Sequence, residues 1–212
     1  MIIYKFGGTS VGNADRMKQV ASIIKDDKQK IIVLSAVGGT TNKLVNLTGF
    51  FYTQKHDEAM KIIELLRVEY MGIIDHLLST ETYKNQAIGF INGVLDLLLA
   101  QEGPQFNETN EKIILAQGEI MSSNLFYIYL LETGANATLI SALEFMRIDD
   151  NEEPDVAQIS RLVKPLLEKA SDKHLIITQG YICRNPQGGI DNLKRGGSDY
   201  SATLIGEAIK AD

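Results

Sequence analysis

Residues 2 to 12, Ile2-Ile3-Tyr4-Lys5-Phe6-Gly7-Gly8-Thr9-Ser10-Val11-Gly12, decide the fold class. A short apolar run breaks directly into glycines and hydroxyls, and a segment of helical period, Asn13 to Asp26, follows. A strand apolar on successive positions is covered on both faces, and strand, glycine turn and helix in that order make half of a βαβ unit. The same pattern returns at Leu34-Ser35-Ala36-Val37-Gly38-Gly39-Thr40-Thr41-Asn42 and, before a last helical segment, at Arg195-Gly196-Gly197-Ser198-Asp199-Tyr200-Ser201.

Working outward, the pattern predicts strands at Ile2–Phe6, Lys30–Leu34, Ala137–Ile140 and His174–Thr178. It predicts helices at Asn13–Asp26, Thr41–Phe50, His56–Leu78, Tyr83–Ala100, Thr109–Glu132, Pro154–Ala170 and Asp199–Ala211. The expected fold is α/β, a mainly parallel sheet with helices on both faces, with a helical layer inserted at about residues 56–132. In the long central helices Ile62, Ile63, Leu65, Leu66, Ile73, Ile74, Leu77 and Leu78 recur at spacings of three and four, the stripe of a packed core. The polar breaks Gln101–Asn110 and Asp149–Pro154 read as loops within one domain.

Composition narrows the function. The 212 residues carry 21 Lys and Arg against 27 Asp and Glu, a net charge of −6 with no basic stripe, which argues against nucleic acid as a partner. No run approaches a membrane span, and the N-terminal residues lack a secretory signal, so a cytoplasmic location is expected. One cysteine, Cys183, makes no internal disulfide and sits in an apolar run as a core residue. His56, His76 and His174 have no ligand spacing, so no protein metal site is expected.

An anion must then be held by local geometry. Glycine loops that open helices present unsatisfied N–H donors and a partial positive charge, and in an open parallel sheet they gather at the carboxyl edge. Three such loops with Lys5 and Arg195 attached point to a phosphate, a carboxylate or both. Neither common nucleotide fingerprint fits: Thr9 stands where a dinucleotide motif needs its second glycine, and no Gly-x-x-x-x-Gly-Lys run exists. Here the lysine precedes the glycines, inside the strand, as a compact charge suited to phosphate.

Gly118-Glu119 is the other anomaly, placed inside the apolar run Ile113-Ile114-Leu115-Ala116-Gln117-Gly118-Glu119-Ile120-Met121. A mid-helix glycine costs ~1 kcal/mol relative to alanine and implies close approach of something. Leu115, Glu119, Ser122 and Phe126 share a face, and a carboxylate there needs a partner, either a ligand ammonium or a protein cation.

Together these stretches resemble the amino acid kinase family and, within it, the aspartokinases. The resemblance rests on Lys5-Phe6-Gly7-Gly8-Thr9-Ser10-Val11, Leu34-Ser35-Ala36 with Thr41-Asn42, Gln117-Gly118-Glu119-Ile120-Met121-Ser122 and Arg195-Gly196-Gly197-Ser198-Asp199-Tyr200, in that order along the whole chain. It implies a sandwich of the amino acid kinase type and ATP-dependent phosphorylation of the L-aspartate side chain to 4-phospho-L-aspartate, the opening step of lysine, threonine and methionine synthesis. By motif match, Lys5 neutralises the transferring phosphate, Asp199 orients Lys5, and Gly7, Gly8, Thr9 and Ser10 cradle ATP. Arg195 and Gly196 hold a substrate carboxylate, Glu119 takes the substrate ammonium, and Ser35, Thr41 and Ser198 complete the pocket. Magnesium rides mainly on the nucleotide.

Two departures from the family pattern stand out. Lys194 occupies a position where glycine is usual. The chain also lacks the later strands that hold the nucleotide base and the regulatory domains that build oligomers. Residues 1–212 are therefore expected to be an incomplete catalytic domain, C-terminally truncated, with weak or no activity alone and a homo-oligomeric parent. The competing expectations are a kinase of acetylglutamate, glutamate, carbamate or a nucleoside monophosphate, and a non-catalytic amino-acid-binding or assembly module.

Overall fold

The computed structural model describes residues 1–193 and 197–211. Four parallel strands form the central sheet in the order β1 (Ile2–Phe6), β2 (Lys30–Leu34), β4 (Leu175–Gln179) and β3 (Ala137–Leu139). Register pairs Lys5 with Val33 and Phe6 with Leu34, and on the other side Val33 with Thr178 and Leu34 with Gln179. The carboxyl ends of β1, β2 and β4 therefore stop at one level, and the first two glycine-rich loops leave from that edge.

The two middle strands are buried at every position, and alternation along them divides the core. Ile32, Leu34, Leu175 and Ile177 pack on one face under α1 (Ala14–Ile23), α2 (Thr40–Tyr52), α3 (His56–Leu77), α4 (Glu81–Ala100) and α5 (Glu108–Glu132). Ile31, Val33 and Ile176 pack on the other, with the short helix α6 (Ala142–Phe145), α7 (Val156–Lys169) and α8 (Gly197–Ile209). This is the expected α/β arrangement, parallel with helices on both faces.

The helices begin where side-chain chemistry starts them. Asn13 accepts the Arg16 N–H at the head of α1, Asn107 closes a capping box at α5, and Asp155 caps α7. That last cap corrects the expectation of a helix from Pro154: Asp155 is still outside the helix, and Val156 is its first residue.

Two elements add to the sequence reading. A two-stranded antiparallel hairpin, β5 (Ile182–Arg184) and β6 (Ile190–Asn192), follows β4. Residues Ala142–Phe145 form a single helical turn closed by the reciprocal Ser141 and Glu144 capping bonds. Among the described residues no helix is long and apolar enough to cross a membrane.

Candidate functional site

The site is built where three loops and one helix meet at the carboxyl edge of the sheet. In the β1–α1 loop the Ser10 and Val11 N–H groups both donate to the Gly7 carbonyl, which folds the loop into a tight turn. Among the described residues no acceptor is bonded to the amides of Gly7, Gly8 or Thr9. The donors this loop offers to an anion are therefore those three, with the Ser10 amide turned inward.

Gly8 touches the next loop directly. Gly38 N–H donates to the Gly8 carbonyl at 3.1 Å, and a Cβ on Gly8 would sit 2.8 Å from the Ala36 carbonyl oxygen. No residue with a side chain fits between the two loops without moving backbone. The second loop ends at Gly39, which holds φ at +86° and leads into α2 without a side-chain cap. The N-terminus of α2 thus keeps its partial positive charge facing the edge. Thr41 is exposed in its first turn, whereas Thr40 turns inward and its hydroxyl meets that of the fully buried Tyr70 at 3.3 Å.

Lys5 projects from β1 over the first loop, its Nζ 3.4 Å from where a Gly7 Cβ would lie. The same ammonium is 3.0 Å from the Asp199 carboxylate in the first turn of α8. Asp199 is 78% exposed and Lys5 22% exposed, so the lysine is held while its face toward Gly7 stays open to a second anion. Ser198, one residue earlier, bonds Ser35 Oγ at 2.8 Å and packs on Gly180, where an added Cβ would lie 2.3 Å from the Ser198 Cβ. Glycine at the end of β4 is what lets the start of α8 come down onto the sheet. Arg195, Gly196 and Lys194 lie outside the described residues.

Helix α5 closes the site from the other side. The close approach implied by Gly118 is to the second loop: a Cβ there would lie 2.9 Å from the Ala36 Cβ and 3.6 Å from the Thr40 methyl. Ser122, on the face shared with Glu119, donates to the Ser35 carbonyl at 2.6 Å. Glu119 itself is buried; its Oε1 accepts the Ala36 N–H at 3.2 Å, and its Oε2 has no partner among the described residues. Of the two partners left open by the sequence, a protein cation is absent among the described residues. Burial, only partly offset by the Ala36 N–H, pushes this carboxyl up to about 7.

Tyr181 flanks the same space. Burial and then the nearby Glu119 raise its hydroxyl to about 12, and its backbone holds φ at +67°, a conformation unusual for a residue with a side chain. The Ser201 hydroxyl fixes it by accepting its N–H at 2.8 Å. Its neighbourhood was legible only as a tyrosine after glycine; the positive φ has no sequence signature. Cys183 is fully buried and burial pushes its thiol up to about 12, the behaviour of a core residue and not of a nucleophile.

A separate cleft of about 690 Å³ opens at the opposite edge, lined among others by Lys18, Asp26, Tyr129, Asn136 and His174. Two of its charges are engaged: Lys18 donates to the His76 carbonyl and Asp26 pairs with the buried Lys30. The glycine loops form no part of it.

Chemically, the described residues of the carboxyl edge combine a cation over a glycine turn, backbone donors without an acceptor, and a buried carboxyl with an unpartnered oxygen. Such an arrangement is chemically suited to a small molecule that carries both an anionic and a cationic group.

Comparisons with known proteins bear on the family and the fold. The model of the Amino acid kinase family matches residues 1–212. The lysine-sensitive aspartokinase 3 of Escherichia coli (strain K12) is 30% identical over 215 residues, covering 100% of this chain and 47% of that protein. Two crystal structures of E. coli aspartokinase III superimpose over the whole chain and 47% of theirs. The complex with lysine and aspartate (T-state) has a TM-score of 0.87 at 31% identity, and the complex with aspartate and ADP (R-state) a TM-score of 0.84 at 30% identity. The chain spans about half the length of these relatives.

Proposed function

The chain belongs to the amino acid kinase family, and from that premise we propose that it carries the amino-acid and phosphate-loop part of an aspartate kinase. The observation that carries the proposal is that the Oε2 of buried Glu119 has no partner among the described residues. A buried carboxylate oxygen without a donor is costly, and a ligand ammonium is the group that relieves it. The aspartate-bound relatives support the choice of amino acid.

On this reading the α-ammonium of L-aspartate enters against Glu119, with Ser35, Thr41 and Ser198 around it and Arg195 and Gly196 on a substrate carboxylate. The side-chain carboxylate of aspartate is ionised near neutral pH and attacks the terminal phosphorus of ATP without a general base. The new bond is a carboxyl oxygen to phosphorus, the broken bond is the one to the leaving ADP oxygen, and 4-phospho-L-aspartate results. Lys5 and the amides of Gly7, Gly8 and Thr9 stabilise the charge on the transferring group, and Asp199 holds Lys5 in place. ATP enters as co-substrate. Magnesium would be carried chiefly by its phosphates and water, as suits a hard cation beside phosphate oxygens.

The proposal includes a cytoplasmic location with metabolites as the only ligands, no nucleic acid and no membrane, and a homo-oligomeric parent enzyme. Calorimetric titration of L-aspartate, with L-glutamate and N-acetylglutamate as competitors, tests it. Selective binding of aspartate that is lost in Glu119→Ala and Arg195→Ala is expected. Tighter binding of N-acetylglutamate, which has no free ammonium for Glu119, would overturn it.

A further inference from the structure

Two charged residues far from each other in the sequence meet beside the site and have no role in the chemistry above. Asp191, in the middle of β6, is 4% exposed, and the Lys112 ammonium on α5 lies 2.8 Å from its Oδ2. Its Oδ1 accepts the Asn192 N–H, and Lys112 also reaches Glu108 at 3.1 Å. Lys112 precedes Glu119 by seven residues, two turns of helix, so both lie on one stripe of α5. The hairpin that carries Asp191 packs on α5, and Tyr181 stands at its open end, one residue after Gly180, whose N–H donates to the Leu34 carbonyl.

The two hairpin strands are held differently. Strand β5 is tied to the backbone before α7: Arg184 N–H donates to Met146 and Ile148 N–H donates to Arg184. Strand β6 has β5 on one side and α5 on the other, and among the described residues its polar hold on α5 is the Lys112–Asp191 pair. The last link at that end is the Leu193 N–H, which donates to the Tyr181 carbonyl at 2.8 Å.

An ion pair largely withdrawn from water is a poor source of stability, because apolar residues of similar volume replace one at little cost, and in some proteins its role is to fix register. We propose that Lys112 and Asp191 are positioning residues for the amino-acid pocket: their pair sets the register of the β5–β6 hairpin along α5 and thereby the position of Tyr181, next to Gly180 on which Ser198 packs. This inference rests on the reading of Glu119 as the ammonium-binding group. Loss of the pair lets β6 slide along α5 and widens the pocket, so the amino acid binds less tightly while the fold persists.

The test compares the native chain with Lys112→Met, Asp191→Asn and the double variant Lys112→Met/Asp191→Leu, by calorimetric titration of L-aspartate and by thermal melting. The double variant is expected to melt within a few degrees of the native chain. It should nevertheless bind aspartate about tenfold more weakly, equivalent to about 1.4 kcal/mol. Lys112→Met alone, which strands Asp191, is expected to melt lower and bind more weakly still. Faster exchange of the Leu193 amide in the double variant would accompany the loss. A double variant that binds as tightly as the native chain overturns the positioning role alone. A native chain that fails to bind aspartate overturns the substrate assignment and this inference with it.

Discussion

Gly118 on α5 faces Ala36 so closely that a Cβ on the glycine would lie 2.9 Å from the alanine Cβ. Ala36 has no room to retreat, because its N–H is bonded to Glu119 and the neighbouring Gly38 is bonded to Gly8. Substituting Gly118 with Ala in an ordinary helix adds about 1 kcal/mol of stability; here overpacking of ~1–3 kcal/mol opposes it. Gly118→Ala is expected to lower stability, the reverse of the propensity effect, and to weaken aspartate binding by moving Glu119. Urea denaturation of the two chains decides the sign.

Glu119 makes stability depend on pH in a definite direction. Burial raises it to about 7, above the 4.5 of an exposed glutamate, so between those values the native chain keeps a proton that the unfolded chain has lost. Stability from this group is full below the lower value and is lost as pH rises through the upper one, by at most about 3 kcal/mol. Glu119→Gln is therefore expected to match the native chain near pH ~4 and to exceed it by about 1–3 kcal/mol near pH ~8. An equal difference at both pH values would refute the linkage. Aspartate binding should release a proton at about pH 6, because an ammonium stabilises the ionised form; calorimetry in buffers of different ionisation enthalpy measures it.

The residues that carry the site were legible where they broke a pattern. Gly118-Glu119 stands out because a glycine and a charge interrupt an apolar helix, and Lys5 because a charge sits inside an apolar strand. The hairpin was not legible: its strands are three residues each, and Asp191 at the centre of β6 removes the apolar alternation that would reveal them. The single turn Ala142–Phe145 did carry a signal, the Ser141 and Glu144 spacing of a capping box, but four residues are too few for a helical period. Which of Thr40 and Thr41 faces inward depends on the phase of α2, set by Gly39 at φ +86°, and no local sequence rule specifies it.

Thr178 offers a test of the sheet beneath the site. It is buried in β4 beside Ile31, Phe145, Val163 and Ile205, and its hydroxyl has no partner among the described residues. The adjoining void, about 10 Å³, scarcely reaches the size that admits one water. Valine keeps the shape and removes a desolvated hydroxyl, so Thr178→Val is expected to stabilise the chain by about 1 kcal/mol. Thermal melting checks this, and a lower melting temperature would mean that the hydroxyl has a partner in solution.

Lys5 separates stability from chemistry. Its pair with Asp199 spans 3.0 Å, but the aspartate is largely in solvent, and such pairs contribute only about 0–1 kcal/mol to folding. Lys5→Met should therefore leave the melting temperature nearly unchanged. It should also leave aspartate affinity within about threefold, because the proposed ammonium and carboxylate contacts are Glu119 and Arg195. On the proposed reading what disappears is the cation above Gly7 that meets the charge of the transferring group, and in the parent enzyme ATP-dependent phosphorylation of aspartate is expected to fall by about 10²-fold or more. Asp199→Asn keeps Lys5 but loosens it, so its loss should be smaller. A Lys5→Met chain that transfers phosphate at the native rate would remove this residue from the reaction and leave the glycine turn to bind the phosphates by itself.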